Sequence, residues 1–400
     1  MKQPADKTYA PRRANAASVP FLSFSPSGLK RIKSVLAILI IVLFVGQLGF
    51  RVFFYRSAYS TSFDATYWRN RYLMSQWVVS NSKNTIGDDG LYTYAAYAYI
   101  TGRDPTTLNA EIPPLGKYAI GIFILLFHNQ NLFALFSGLF ALFSFFLLNL
   151  AVFKDKLLAF IPVVLFSFEP LFYTQLRAPF LDTFYLSFFF LTFYFFLRKN
   201  YQLAGVFLGA MMSVKASSST FVLVFAVMTL YLIGKRHFGE WKKSLLVIPF
   251  SLAIFLLTYF RYFMLGHGLR QFLGVQKWIV LFYANGAKPD PLNVPQMLLI
   301  GRWSTWWGQA SHIPEWRISW AILFFGFFAY LIYMVAKRKM DEIGLLAIWI
   351  VCYLLLFVFV PVWPRYLLLV LPFMYNLTIW LLLKSTGYLF WQSSSSSSIS

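Results

Sequence analysis

Residues 131–153 read Asn-Leu-Phe-Ala-Leu-Phe-Ser-Gly-Leu-Phe-Ala-Leu-Phe-Ser-Phe-Phe-Leu-Leu-Asn-Leu-Ala-Val-Phe, a run without one charged side chain. Wound as a helix at ~1.5 Å per residue, this stretch reaches about 35 Å, enough to cross a hydrocarbon core ~30 Å thick. In lipid only a helix or a closed barrel satisfies its own backbone groups, and the run lacks the alternation of a barrel strand. The same reading extends outward to apolar runs at 34–50, 157–176, 183–197, 201–214, 218–234, 244–263, 319–336, 343–360 and 366–383. The expected fold is therefore an all-α multi-pass membrane protein with about ten to eleven transmembrane helices. Composition agrees: 59% of the 400 residues are hydrophobic and only 12% charged, where a soluble domain carries about a quarter. No water-soluble core of this length could hide so much leucine and phenylalanine.

The net charge of +21 sorts the loops. Basic residues lie between the apolar runs instead of gathering in one domain, which fits the positive-inside rule and excludes nucleic acid as the partner. With the N-terminus cytosolic, Lys154 and Lys156, Arg198 and Lys199, Lys235, Arg236, Lys242 and Lys243, Lys337 to Lys339, and Lys384 all fall on the cytosolic side. This holds if 118–127 does not cross. At about 15 Å of helix it is too short, so it is expected as an interfacial or re-entrant helix. The run 34–50 is followed by Arg51, Phe53 and Tyr55, which favours a retained span over a cleaved signal peptide. Three regions result: a basic cytosolic tail 1–33, a membrane domain 34–384 and a serine-rich tail 385–400. The outer side receives the large loops 55–130 and 264–318, the first with interfacial helices, and short turns at 177–182, 215–217 and 361–365. Cys352 is the single cysteine, so there is no intramolecular disulfide. No internal repeat is visible, which weighs against inverted-repeat transporters.

Acids are scarce, 14 in the chain, and those in the outer loops carry the argument. Asp88 and Asp89 are adjacent between Gly87 and Gly90; they suit a general base, and they also suit a solvated turn. Pro113 follows Asp88 by 25 positions, inside Glu111-Ile112-Pro113-Pro114-Leu115-Gly116-Lys117. The proline pair stiffens the backbone and can hold Glu111 and Lys117 at headgroup level, although an isolated lysine there is more often a snorkelling one. Arg177 and Asp182 share an outer turn, either as an ion pair or as functional groups, and Lys215 interrupts a helical hairpin at its outer end. The second large loop adds Arg302 and His312 among several tryptophans, with no zinc-ligand spacing.

Together these motifs resemble the protein O-mannosyltransferases and their bacterial relatives, within the superfamily of membrane glycosyltransferases that use lipid-phosphate sugars. Asp88-Asp89 is similar to that family's acidic pair, and Ile112-Pro113-Pro114-Leu115-Gly116-Lys117 to its His-Pro-Pro-Leu-Gly-Lys motif. Arg177 with Leu181-Asp182, Val214-Lys215-Ala216 and Trp363-Pro364-Arg365-Tyr366 resemble further elements in the same order. Three positions depart from the pattern: Ile112 replaces a histidine, Asp89 a glutamate and Ala216 a tryptophan. The acid pair and its spacing also resemble the aminoarabinose transferases that modify lipid A.

The resemblance implies an inverting transfer of a sugar, mannose or similar, from a polyprenyl or dolichyl phosphate to an acceptor hydroxyl on a protein, glycan or lipid. Asp88 would be the base with Asp89 assisting. Lys117, Arg177, Lys215 and Arg365 would hold the donor phosphate. Glu111, Pro113, Pro114, Asp182, Arg302 and His312 would support them, with Asp182 orienting Arg177. No cofactor is required by this scheme, and a divalent metal is left open. The competing readings are a flippase for a lipid-linked sugar and a non-catalytic scaffold.

Overall fold

The computed structural model describes residues 26–284, 290–305, 309–338 and 340–385. Most of the basic N-terminal tail and almost all of the serine-rich tail lie outside them. The chain divides into two units, 1–43 and 44–400. In the first, the described part is the beginning of the helix Pro26–Phe54, with Val35, Ile38, Leu39 and Ile41 exposed. Apolar exposure on several faces of one helix is what lipid, as solvent, permits.

Among the described residues of the second unit the regular structure is helical apart from a two-stranded antiparallel pairing, Arg302–Ser304 with Ala310–His312. Among the described residues four helices are long and apolar enough to cross a membrane: Lys33–Phe54, Asn131–Phe153, Phe238–Thr258 and Ile318–Lys337. A fifth results if Lys156–Ser167 and Pro170–Arg177, bent by 70°, form one broken span. The chain is thus an integral multi-pass membrane protein. A helix occupies each of the expected runs; Asp182–Leu197 and Tyr201–Val214 match theirs within a residue, while Lys156–Ser167, Val247–Thr258 and Glu342–Leu356 are shorter than the runs 157–176, 244–263 and 343–360. Polar residues mark helix boundaries. Asn200 caps the start of one helix through Leu203 N at 3.1 Å, and Glu169, the residue before Pro170, marks the break in another. Glu169 is satisfied there by Trp320 Nε1, donating at 2.9 Å, and by the Tyr375 hydroxyl at 3.2 Å. The stretch Leu115–Phe127 is a helix of 13 residues, too short to cross.

The core is aromatic. Phe189 packs on Trp349 with centroids 4.4 Å apart, and Phe145 stacks on Phe190 at 4.7 Å. Helices Tyr201–Val214 and Val247–Thr258 touch backbone to backbone. A Cβ on Gly205 would lie 2.7 Å from the Val247 carbonyl oxygen, and one on Gly209 2.5 Å from that of Ser251. Small residues four apart are the usual means of such an approach between membrane helices. Interhelical hydrogen bonds add to it, as between Ser137 and Thr183 at 2.8 Å and from Asn376 to Asn149 at 2.9 Å.

Candidate active site

Three chain features bring the charges together. Asp182 opens the helix Asp182–Leu197, and Lys215 directly follows the helix Tyr201–Val214. A short link, 198–200, joins the two as an antiparallel hairpin, so the start of the first lies beside the end of the second. Lys215 Nζ accordingly donates to Asp182 Oδ1 at 2.7 Å, with only 11% and 8% of the two side chains exposed. Ala216 then turns the chain into the next helix with φ +50°, a left-handed conformation that is costly for a residue with a Cβ.

Asp88 arrives from the first large loop. Gly87 is extended, and Asp88 and Asp89 form the first turn of the helix Asp88–Ile100, where the helix dipole favours carboxylates. Gln76 secures the approach, donating to the Ile86 carbonyl at 3.0 Å and accepting from the Ile86 amide at 2.9 Å. The carboxylate of Asp88 accepts a hydrogen bond from Arg365. Arg365 comes from the 3₁₀ turn Pro364–Leu369, and its Nε lies 3.8 Å from Asp182 Oδ2. Asp88, Arg365, Asp182 and Lys215 therefore form one chain of alternating charge. Burial alone would lower the Arg365 pKa, but Asp182 and Asp88 outweigh it and hold the guanidinium above its usual value. Lys215 Nζ also sits 5.1 Å from the ring of Tyr366. Trp363 packs against Trp303 at 4.9 Å, which ties the turn to the strand pair of the second large loop.

The proline motif plays a different part from the one expected. Pro114 caps the helix Leu115–Phe127, and a Cβ on Gly116 would lie 2.6 Å from Leu181 Cδ2, so Gly116 lets this helix close on the residue before Asp182. Lys117, however, is fully buried and does not face the charge cluster. Its ammonium donates to the carbonyls of Asn109 at 2.7 Å and Ile112 at 2.6 Å, and lies 5.0 Å from the Tyr99 ring. Through these bonds it braces the loop. Burial lowers its pKa to about 7, and the charge of Glu111 opposes that shift. Glu111 is itself buried, its pKa raised by burial, and it accepts from the Asn109 side chain. Asn109 was not among the sequence candidates; its φ of +49°, which asparagine tolerates better than most residues, is what folds the loop around Lys117.

Arg177 also departs from expectation. It ends the short turn Thr174–Arg177 with its side chain exposed, and Asp182 pairs with Lys215 and Arg365 instead of orienting it. Asp89 Oδ1 lies where a Cβ on Gly87 would come within 2.6 Å, so its carboxylate folds back on the preceding backbone. Arg302 and His312 are exposed cross-strand partners, linked toward the cluster by the Trp303–Trp363 contact. Pro113 and Pro114 are buried. Tyr92 and Tyr283 lie close enough to Asp88 and Arg365 to feel both charges, and the sequence offered no signal for them beyond a tyrosine-rich setting. Among the described residues no three His, Cys, Asp or Glu side chains gather as a metal-binding group.

Fold and cluster define a class of molecule: a helical multi-pass membrane protein with a partly buried, charge-balanced site fed by a large loop between its first helices. Within that class the chain shares the fold of ArnT from Cupriavidus metallidurans. The ArnT crystal structure bound to undecaprenyl phosphate superposes with a TM-score of 0.58 at 14% identity, covering 84% of this chain and 60% of that one. The apo form of the same protein gives 0.56 at 15%, covering 74% and 54%. This chain thus spans less than two thirds of the length of either structure. No family model and no curated protein matches the sequence.

Proposed function

We propose that this protein is a glycosyltransferase that moves a sugar, mannose or a similar one, from a polyprenyl phosphate to an acceptor hydroxyl on the extracytosolic side. The observation that carries the reading is the contact between Asp88 and Arg365 beside the Asp182–Lys215 pair. A base and two cations within one small site are what the chemistry needs. The acceptor oxygen forms a bond to the anomeric carbon as the bond from that carbon to the phosphate oxygen breaks, inverting the centre. The acceptor proton passes to Asp88, and the electron pair leaves with the polyprenyl phosphate. Arg365 and Lys215 stabilise the charge that develops on that leaving group, in a site with little water to screen it. The fold shared with an ArnT structure that holds undecaprenyl phosphate supports a lipid-phosphate donor.

The test is transfer by purified protein from radiolabelled polyprenyl-phosphate mannose to a cell-envelope acceptor extract. Label on an acceptor supports the reading. Label that stays on the lipid and crosses a liposome membrane intact points to the rival flippase.

A further inference from the structure

We propose that Arg365 is a two-position guanidinium that guards Asp88 until a donor phosphate draws it away. The inference rests on the glycosyltransferase reading above and concerns when the base becomes available. Arg365 stands between two carboxylates. It is bonded to Asp88, while its Nε faces Asp182 Oδ2 at 3.8 Å. Both that nitrogen and that oxygen are buried and have no hydrogen-bond partner among the described residues. Such a pair of orphans is expensive unless another arrangement satisfies them. A shift of roughly 1 Å brings Nε within hydrogen-bonding distance of Asp182. The rings of Phe180 and Trp363, 5.9 and 5.8 Å from the guanidinium carbon, offer faces and no acceptors, and the flanking acceptor is the adjacent Tyr366 hydroxyl, whose hydrogen bond with Arg365 must shift with it.

Charge gives the movement its direction. The four side chains Asp88, Asp182, Lys215 and Arg365 sum to zero, so an incoming phosphate needs a cation from within the cluster. Lys215 already holds Asp182 at 2.7 Å and is the less exposed of the two cations, 11% against 20%. Arg365 is the one that can turn toward the phosphate, with Asp182 as its new support. Asp88 Oδ2, which the guanidinium covers in the resting arrangement, is then open to the acceptor hydroxyl. Base and donor thus become linked: the Asp88 oxygen held by Arg365 is released as the donor phosphate arrives. By reciprocity, whatever frees Arg365 from Asp88 strengthens binding of the phosphate.

The experiment measures the affinity of full-length protein in nanodiscs for undecaprenyl phosphate, which has the chemistry of the leaving group. Asp88→Asn is expected to bind roughly 10-fold more tightly than wild type, the scale of one hydrogen bond to a charged group. Asp89→Asn removes the same charge one residue away without touching Arg365 and is expected to change affinity less than about 2-fold. In an Arg365→Gln background the gain from Asp88→Asn is expected to vanish. Equal gains from Asp88→Asn and Asp89→Asn, or a gain that survives without Arg365, would overturn the exchange while leaving the donor reading intact. Absence of binding by every form, wild type included, overturns the lipid-phosphate reading and the exchange with it. Should Arg365→Gln not fold, the comparison of the two aspartate variants decides alone.

Discussion

Arg365 donates a hydrogen bond to the carboxylate of Asp88 across 277 positions of sequence. The contact closes the chain on itself, bringing the turn 361–365 against the helix Asp88–Ile100 of the first large loop, and it makes one site out of residues that local sequence leaves far apart.

The Asp182–Lys215 pair should act as a structural unit. Removing one partner leaves a buried charge uncompensated, so Lys215→Met or Asp182→Asn alone is expected to cost about 3–5 kcal/mol. The double variant is expected to recover much of that loss. Thermal unfolding in detergent checks the cycle, and additive losses would contradict it.

Lys117 gives a pH signature. Its pKa falls from 10.5 to about 7 on folding. Between those values the unfolded chain holds more protons than the folded one, so the Lys117 contribution to stability rises with pH across that window. Relative to Lys117→Met, wild type is expected to gain thermal stability from pH 7 to pH 10. A constant difference between the two melting curves would remove Lys117 as the source.

Gly209 probes the close helix crossing. Gly209→Leu drives a side chain into the Ser251 backbone and is expected to destabilise by about 1–3 kcal/mol or more. Gly239→Ala, with nothing within 4 Å of its Cβ position, serves as the neutral control.

Arg177 tests a departure from the sequence reading. Because its side chain is exposed and outside the charge cluster, Arg177→Ala is expected to leave undecaprenyl phosphate affinity within about 2-fold of wild type. A loss of 10-fold or more, measured in the same nanodiscs, would return it to the site.

The contrast between Arg177 and Arg365 indicates what was legible in advance. Asp88 stood out because acids are rare in this chain and it lies beside Asp89, 25 positions before the proline pair. Asp182 and Lys215 stood out because charges are costly beside apolar runs. Which cation pairs with which carboxylate is a tertiary property, and proximity in sequence misassigned Asp182 to Arg177. The surroundings of Lys117 were hidden for a related reason. A lysine after two prolines reads as reaching outward, whereas the left-handed Asn109 folds carbonyls around it. Hydropathy located the helices but lengthened several, because one polar residue inside an apolar run, such as Glu169, barely lowers a window average while it can break the helix. The strand pair 302–304 and 310–312 escaped notice because strands of three residues carry no periodicity.

The most direct test of the central claim is turnover of labelled polyprenyl-phosphate sugar by Asp88→Asn beside Asp89→Asn. As general base, Asp88 is expected to account for a loss of about 10²–10⁴-fold in kcat. Asp89, turned back toward Gly87, is expected to account for far less. A fully active Asp88→Asn, or equal losses from the two variants, would contradict the account and place the base elsewhere.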